Sequence, residues 1–271
     1  MRLRIDLAYD GTGLHGWAEQ PGMMTVCGLL RTGIETIVRQ PVEITVAGRT
    51  DAGVHAAAQV SLIQTDGNPD TVRLERGLSN LAGLTGQQLA EQIVVRSLRT
   101  AEPDFDPRFS ALSRSYCYRL SDTVATYQPW QRNLASLPRN RQKLNLEAMQ
   151  DAAQLLLGEH DFLGLAKPRE GATTIRTLQR LEIRRNDTEY LEFWLTADAF
   201  AHSMVRFIVG ALTEIGRGRR DAAWLQQVLD SGERNGQVPL APARGLTLES
   251  IEYPEPEHYA AQNATTRQLR K

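Results

Sequence analysis

Short runs with the two-residue period of a β-strand alternate along this chain with longer runs that have the period of an amphipathic helix. In the first run, Leu3, Ile5 and Leu7 alternate with charged residues, which predicts a half-buried strand. The next apolar run has helical spacing, with Thr25 placed as a possible N-cap and Pro41 as the stop signal. Because each one-sided element must bury its apolar side, the alternation predicts an α+β fold with helices on one face of a mostly antiparallel sheet.

The same alternation continues to the C-terminal region. Strands are predicted over 42–46, 59–63, 93–98, 113–120, 174–184, 190–196 and 247–253. Helices are predicted over 70–81, 146–157, 205–215 and 221–229. Both parts of the chain therefore contain the same mixture of elements, and the element order predicts two similar halves.

A proline-containing segment, 100–108, is the best candidate for a linker between the halves. We therefore expect an N-terminal α+β half over 1–104, which contains the aspartate motif described below, and a C-terminal α+β half over 105–253. From residue 254 the composition turns polar, so 254–271 is expected to be a flexible tail.

Composition narrows the class of protein. The formal charge is −1, from 31 basic and 32 acidic side chains, so any nucleic-acid site must be a local basic patch. No apolar stretch approaches the roughly 18 residues that span a bilayer, and no signal sequence opens the chain, which predicts a cytoplasmic protein. Cys27 and Cys117 are expected to be reduced packing residues.

The sharpest local motif runs from Gly48 to His55 and places Asp51 between two glycines at a strand end. Glycines permit a tight turn, so a substrate can reach the carboxyl group of Asp51. An ordinary turn in which Asp51 caps its own backbone would use the same residues.

Two further segments contain residues that could take part in catalysis or binding. Arg206 lies in the middle of a strongly apolar helix, where a charge is costly unless it has a partner such as a carboxylate. The alternative is an arginine whose stem covers the core while its guanidinium reaches water. Tyr116 lies on a strand beside arginines, which suits base stacking, although a buried tyrosine pair would produce the same pattern.

Taken in order and spacing, the motifs resemble the tRNA pseudouridine synthase A (TruA) family over nearly the whole chain. The residues that carry the resemblance are Tyr9-Asp10-Gly11-Thr12, Gly16-Trp17, Ala47 to Ala56, Phe105 to Ala111, Arg114 to Tyr118, Asp161-Phe162, Ile175-Arg176-Thr177, His202 to Arg206 with Ile208-Val209-Gly210, and Ala241 to Leu246. The chain departs from the family's usual residues at Leu14, Ala18, Cys27 and Pro107. These positions lie outside the aspartate motif, so the departures concern loops that would face RNA.

The resemblance implies isomerisation of uridine to pseudouridine at positions 38, 39 and 40 in the anticodon stem-loop of tRNA. It also implies a homodimer that needs neither a metal nor an organic cofactor, with an active-site cleft between the two halves. Asp51 occupies the position of the family's nucleophile, Arg206 that of its partner, and Tyr116 that of the tyrosine in the uracil pocket. By the same resemblance Arg49, Leu246 and His202 contact the substrate, with Arg49 filling the space left by the flipped base and Leu246 forming an apolar wall.

An aspartate suits this chemistry because its side chain in water is ionised at neutral pH and, unlike serine, needs no base to activate it. It can attack the sugar or the base, or stabilise positive charge at C1′. The target base is stacked, so it must be flipped out at a cost of a few kcal/mol. Basic residues in two loops could hold the phosphates, or could simply form solvated faces. They are Arg132, Arg139, Arg141, Lys143, Arg217, Arg219 and Arg220.

Two other functions use overlapping residues. A metal-assisted hydrolase would use Asp51, His55, His160, Asp161 and His202, but no compact metal-ligand spacing occurs among them. A non-catalytic RNA-binding module would also have aromatics on a sheet. It would not require an aspartate between glycines together with an arginine in the middle of a helix.

Overall fold

A computed structural model describes residues 1–137 and 142–268, and the chain divides into two compact units. The first unit consists of Met1–Leu112 and Leu248–Gln268, and the second consists of Ser113–Thr247. The strands of the described part are β1 Arg2–Tyr9, β2 Glu43–Val46, β3 His55–Gln64, β4 Ile93–Thr100, β5 Ser113–Leu120, β6 Gly158–Asp161, β7 Ile175–Arg185, β8 Leu191–Ala197 and β9 Leu246–Glu252. The α-helices of that part are α1 Val26–Val38, α2 Thr71–Leu78, α3 Leu81–Thr85, α4 Leu146–Ala153, α5 Met204–Gly216, α6 Ala222–Asp230 and α7 Tyr259–Arg267.

Local sequence signals explain the first strand and helix. Side chains of β1 alternate between buried and partly exposed along its length, as the two-residue period predicts. Thr25 caps α1, since its Oγ1 accepts a hydrogen bond from the Gly28 N–H at 3.2 Å. The helix ends at Val38, before the predicted stop at Pro41.

In the first unit, β1 lies between β3 and β4 and pairs antiparallel with both. Ile5 is opposite Ser61 on β3 and Leu98 on β4. The short strand β2 pairs antiparallel with β3, so β2 and β3 form a hairpin whose connecting loop is 47–54. This loop is the one that contains the aspartate motif.

The second unit repeats that element order. Its strands are arranged β5-β8-β7-β6, and all three pairings are antiparallel. In both units a first strand is followed by a helix and later by an antiparallel hairpin, and the first strand pairs with the second strand of that hairpin. The predicted α+β class with mostly antiparallel pairing is confirmed.

Some elements differ from the sequence predictions. The helix predicted over 70–81 is two helices, since α2 ends with Ser79 as its C-cap and Asn80 caps α3, with its Oδ1 accepting from the Gly83 N–H at 3.1 Å. Neither β6 nor α7 was predicted. Cys27 and Cys117 are both buried and free, as expected.

The division of the chain also differs from the predicted halves 1–104 and 105–253. The segment 100–108 is not an exposed linker, because the ring of Phe105 is fully buried in the core of the first unit. Its centroid lies 5.2 Å from that of Tyr253 and 5.3 Å from that of Tyr259. The first unit therefore extends to Leu112 and also includes the segment Leu248–Gln268.

The same contacts give structure to the predicted flexible tail, 254–271. Within its described part, α7 begins at the buried Tyr259. Further along this helix, the Asn263 side-chain amide donates to the Asp104 carbonyl at 2.7 Å and accepts from the Ser110 hydroxyl at 2.9 Å. Buried aromatic area and specific hydrogen bonds thus stabilise a helix that polar composition alone did not predict. In the described residues no helix is both long and apolar enough to cross a membrane.

Candidate active site

The loop between β2 and β3 places two candidate residues near solvent. Arg49 is exposed and Asp51 is partly exposed, while Thr50 between them is buried, with 7% of its surface accessible. A turn within the loop is closed by the Val54 N–H, which donates to the Asp51 carbonyl at 3.1 Å. The sequence thus places a buried anchor between two side chains that a ligand can reach.

A buried hydrogen-bond network, Tyr9–Thr50–Gln59, holds this loop. The Tyr9 hydroxyl lies 2.8 Å from the Thr50 hydroxyl and accepts from the Gln59 side-chain amide at 3.2 Å. The same amide donates to the Gly48 carbonyl at 2.8 Å. Burial raises the pKa of Tyr9 to about 12, although both hydrogen bonds oppose the shift, so the phenol stays neutral. The backbone on both sides of Arg49 is therefore fixed by buried groups.

The loop that follows β1 supports the aspartate motif from the other side. The Trp17 N–H donates to the Thr50 carbonyl at 3.1 Å, and the Gly53 N–H donates to the Leu14 carbonyl at 3.1 Å. Gly16 makes this approach possible, because a Cβ there would lie 2.7 Å from the Thr50 carbonyl oxygen, and its φ is +82°. A side chain at this position would displace the backbone of the Asp51 loop.

His55 begins β3 and connects the two loops. It is buried, and its Nδ1 lies 3.1 Å from the Gly11 N–H nitrogen and 2.9 Å from Oδ1 of Asp10. Burial opposes ionisation of Asp10, but the Thr12 hydrogen bonds and His55 together hold the pKa of Asp10 below its usual range. His55 thus acts as a structural link in this unit.

In the second unit, Tyr116 lies on β5 opposite Leu195 of β8. It is 8% exposed, and its ring packs edge-to-face against Phe200 with the centroids 5.1 Å apart. Edge-to-face packing fixes the plane of an aromatic ring. The plane of this largely buried ring is therefore fixed by its contact with Phe200.

Arg206 lies on α5 and is partly exposed. Its Nε donates to the Ala241 carbonyl at 2.8 Å, and its own carbonyl accepts from the Ala241 N–H at 3.2 Å. One turn later, the absence of a side chain at Gly210 lets the backbone of Pro239 lie against the helix. A Cβ at Gly210 would be only 1.8 Å from the Pro239 carbonyl oxygen. The backbone carbonyl of Ala241 therefore holds one nitrogen of the Arg206 guanidinium.

The chain after Ala241 reaches β5 at Gly245, where a Cβ would lie 2.7 Å from the Arg119 carbonyl oxygen. Leu246 begins β9 and is 5% exposed. Tyr118 of β5 is buried, and its hydroxyl donates to the Ser136 hydroxyl at 2.9 Å. Burial raises the pKa of Tyr118 well above its usual range, while the hydrogen bond and the charges of Arg206 and Arg244 oppose the shift. The second unit thus groups Arg206, Arg244 and a neutral buried phenol.

His202 is exposed and precedes α5, where its carbonyl accepts from the Lys167 N–H at 2.9 Å. Ser203 next to it has a left-handed backbone with φ 59°, a conformation that costs a non-glycine residue of order 1–2 kcal/mol. Strain of this kind is often found at functional sites. It also fixes the entry of the helix that carries Arg206.

The six candidate residues thus fall into two groups. Arg49 and Asp51 are in the first unit, and the second unit contains Tyr116, His202, Arg206 and Leu246. Sequence reasoning singled out all six but missed the residues that orient them. The residues for which the sequence indicated no orienting role are Tyr9, Gln59, Phe200, Ser203 and Ala241.

Several basic residues have acidic or aromatic neighbours. Arg217 and Arg219 pair with Glu214 at 2.5 and 3.4 Å. The guanidinium carbon of Arg220 lies 5.1 Å from the ring centroid of Trp224. Arg132 and Lys143 are exposed, whereas Arg139 and Arg141 lie outside the described residues.

The residues of the hydrolase alternative have structural partners. His160 Nε2 lies 2.9 Å from the Leu157 carbonyl oxygen, and Asp161 accepts from the Leu163 N–H at 3.0 Å. Over 1–137 and 142–268, no three or more His, Cys, Asp or Glu side chains are grouped so that they could hold a metal ion.

Known proteins resemble the chain over its full length. A family model described as tRNA pseudouridine synthase matches residues 152–254. A protein named tRNA pseudouridine synthase A from Frankia casuarinae is 44% identical over 272 residues, which cover 100% of this chain and 96% of that protein. Proteins of the same name from Corynebacterium glutamicum and Mycobacterium leprae are 41% and 40% identical, each covering 100% of this chain and 96% of the relative. Among solved structures, a chain titled as part of a Cbf5-Nop10-Gar1 complex aligns with 78% of this chain and 54% of its own length, at 8% identity and a TM-score of 0.32.

Proposed function

The chain belongs to the tRNA pseudouridine synthase A family, and on that premise we propose that it modifies positions 38, 39 and 40 of the anticodon stem-loop with Asp51 as nucleophile. Membership makes it an isomerase that acts on uridine in tRNA. The observation that carries the proposal is the Asp51 loop, in which buried groups fix the backbone while Asp51 stays partly exposed. Such preorganisation is what a nucleophile needs.

The isomerisation conserves every atom and all electrons. The bond between N1 and C1′ breaks, the uracil rotates, and a bond forms between C5 and C1′, after which C5 loses its proton and N1 gains one. In the proposed reaction the Asp51 carboxylate forms a transient bond to the substrate or stabilises positive charge at C1′. No oxidant or reductant is required.

The second unit provides the remaining groups of the proposed site. Arg206, whose Nε donates to the Ala241 carbonyl, pairs with Asp51 and balances its charge, as the family resemblance implies. Tyr116 stacks on the uracil and relays the C5 proton through its phenol. Leu246 supplies an apolar wall and His202 contacts the substrate. The proposed cleft thus combines the N-terminal aspartate motif with a C-terminal half that completes it.

Binding of the stem-loop is assigned to residues near solvent. The exposed Arg49 fills the space of the flipped base, which offsets part of the cost of unstacking. Because the whole chain has a formal charge of −1, phosphate binding depends on local clusters of cations. We further propose that the enzyme acts as a cytoplasmic homodimer without metal or organic cofactor, as the resemblance implies.

The test uses stem-loop transcripts in which a single uridine carries tritium at C5. Tritium release is expected from transcripts labelled at 38, 39 or 40, because isomerisation releases the C5 hydrogen to solvent and only those uridines are isomerised. A transcript labelled at one other loop position is the matched control and should release none. Release from the control alone, or from no transcript, would contradict the proposed substrate positions.

A further inference from the structure

A loop anchored by hydrogen bonds leaves β5 at residue 121 and returns beside the same strand at residue 136. The Ser121 N–H donates to the Ser136 carbonyl at 2.9 Å, and the Ser136 N–H donates to the Arg119 carbonyl at 3.0 Å. The Ser136 hydroxyl accepts from Tyr118, the phenol that lies near Arg206. The base of this loop is therefore anchored to the part of the second unit that carries Arg206.

The interior of the loop is also held by hydrogen bonds. The hydroxyls of Ser121 and Thr126 are 3.0 Å apart, and the Gln128 N–H donates to the Tyr190 hydroxyl at 2.6 Å. Pro129–Gln131 forms a short 3-10 helix, and the Ala135 N–H donates to the Gln131 carbonyl at 3.0 Å. The loop therefore displays its exposed side chains from a fixed backbone.

Trp130, at the centre of this loop, is 74% exposed. Tryptophan is usually buried over most of its surface, as Trp17 is at 2% exposure. Within the described residues the Trp130 ring is in no aromatic or cation–π pair, whereas Trp17, Trp194 and Trp224 all are. Its large apolar face is thus available to a ligand.

The residues near Trp130 in the sequence are basic, which favours an anionic ligand. From residue 123 to residue 146 the sequence contains no Asp or Glu and has cations at 132, 139, 141 and 143. Arg132 and Lys143 are both exposed. The nearest acid before this stretch, Asp122, is 1% exposed, pairs with Arg185 at 2.6 Å and accepts from the Leu144 N–H at 2.8 Å. Asp122 therefore holds Leu144 close to the start of the loop. Its charge is paired with Arg185 and does not neutralise the exposed cations.

We propose that Trp130 stacks on an unpaired base of the tRNA while Arg132 and Lys143 contact the adjacent phosphates. An exposed aromatic ring that is close in sequence to cations, on a backbone held by hydrogen bonds and in a stretch without Asp or Glu, is the combination that binds single-stranded nucleic acid. A second copy of this chain is the less favoured occupant, because a stretch with four cations and no acid gains least from another protein surface of near-zero net charge. The proposal rests on the proposed function, since it assigns part of the binding of the same substrate.

The test measures binding of tRNA to the Trp130→Ala variant by filter binding at matched salt. Its dissociation constant should rise about 5- to 150-fold, the equivalent of the roughly 1–3 kcal/mol that one base–aromatic stack contributes. Trp130→Phe should stay within about threefold of wild type, because phenylalanine still stacks. The Arg132→Gln variant should lower the slope of log affinity against log salt by about 1, whereas Trp130→Ala should leave the slope unchanged.

Leu134→Ala and Val124→Ala are the matched controls, because these exposed apolar side chains lie in the same loop, at 47% and 52% exposure. Both controls should bind tRNA like the wild type. Binding by Trp130→Ala within twofold of wild type would overturn the proposal. If all three alanine variants lose affinity together and light scattering shows that a dimer has dissociated, the loop is an interface between copies and the proposal is also wrong.

The two proposals fail in different ways. If the wild-type chain releases no tritium from C5-labelled tRNA, the proposed function fails whatever Trp130 does. If the wild type is active and Trp130→Ala reaches the same rate at saturating tRNA with a raised dissociation constant, Trp130 is a binding residue as proposed. An unchanged dissociation constant in an active enzyme would remove only the role of Trp130.

Discussion

Replacing Gln59 by Leu should loosen the Asp51 loop without removing any group that touches the substrate. Gln59 is fully buried, and its amide is the donor to the Gly48 carbonyl at 2.8 Å and to the Tyr9 hydroxyl at 3.2 Å. Leucine has a similar volume and cannot donate, so the partly buried Gly48 carbonyl and the buried Tyr9 hydroxyl both lose the Gln59 donor. Tyr9 keeps its contact with Thr50 at 2.8 Å.

The expected magnitude follows from the lost partner. A buried polar group that loses its hydrogen bond costs about 1–3 kcal/mol in the free energy of unfolding. For a chain of this size that corresponds to a fall in melting temperature of roughly 2–12 °C. Because the Gly48 carbonyl lies next to Arg49 and near Asp51, the single-turnover rate at saturating tRNA should fall at least tenfold while the tRNA dissociation constant stays within twofold.

The assay is single-turnover tritium release from C5-labelled tRNA, run beside thermal unfolding and filter binding. Gln150→Leu serves as the control, because the Gln150 amide also donates to a backbone carbonyl, that of Ile183 at 2.8 Å. The control should keep the wild-type rate even where its melting temperature falls. A Gln59→Leu enzyme that is less stable but turns over within twofold of wild type would refute the reasoning, since the network would then support stability alone.

Three further changes test other parts of the structure. Gly16→Ala should lower the rate at least tenfold, as measured by tritium release, because its Cβ would lie 2.7 Å from a carbonyl of the Asp51 loop and φ is +82°. Arg206→Ala should lower the unfolding free energy by about 1.5–3 kcal/mol through loss of its 2.8 Å hydrogen bond to Ala241, as well as abolish tritium release. Burial opposes ionisation of Asp122, but Arg185 and a backbone N–H outweigh it and lower its pKa. The stability that Asp122 contributes is therefore present above the ordinary pKa of an aspartate and is lost as pH falls through its lowered pKa, so the melting temperature of wild type should fall more than that of Asp122→Asn between about pH 5 and pH 2.

Each of these has a result that would count against it. A Gly16→Ala enzyme with the wild-type rate would mean that the two loops can separate without consequence. Wild-type activity and stability in Arg206→Ala would mean that neither the guanidinium nor its hydrogen bond to Ala241 contributes to the site or the fold. If the melting temperatures of wild type and Asp122→Asn fell equally as the pH is lowered, the ion pair between Asp122 and Arg185 would not contribute to acid sensitivity.

The sequence predicted those helices and strands whose signals come from residues within or next to the element. Burial of β1 follows its own alternation, and Thr25 caps α1 three residues from the group it binds. The break between α2 and α3 is also local, but the apolar period runs through it, so Asn80 was not identified as a cap. Helix periodicity alone does not show such interruptions.

Long-range contacts account for the elements that were not predicted. Pro103 and Pro107 look like a linker because the partners that bury Phe105 come from residues about 150 positions later in the chain. The helix α7 forms in a polar segment because Tyr259 packs on that same ring. Short-range composition contains no information about either contact.

The candidate site shows the same division. Asp51 and Arg206 were singled out as candidates by a carboxyl group between glycines and a cation within an apolar helix, and their proposed roles came from the family resemblance. Their orienting partners were missed because Tyr9 is 41 residues from Thr50 and Ala241 is 35 residues from Arg206. The left-handed Ser203 gives no sequence signal, since serine is not a residue that this conformation favours.

The central claim is that Asp51 is the nucleophile, and the most direct test is the Asp51→Asn variant. Asparagine preserves the shape of the side chain and suits a turn, but it is a very poor nucleophile and cannot balance a cationic centre. We expect filter binding of tRNA within a few-fold of wild type and no detectable single-turnover tritium release at the same salt, since affinity comes mainly from phosphates and stacking. Turnover at a tenth or more of the wild-type rate, a loss smaller than about 1.4 kcal/mol, would contradict the assignment of Asp51.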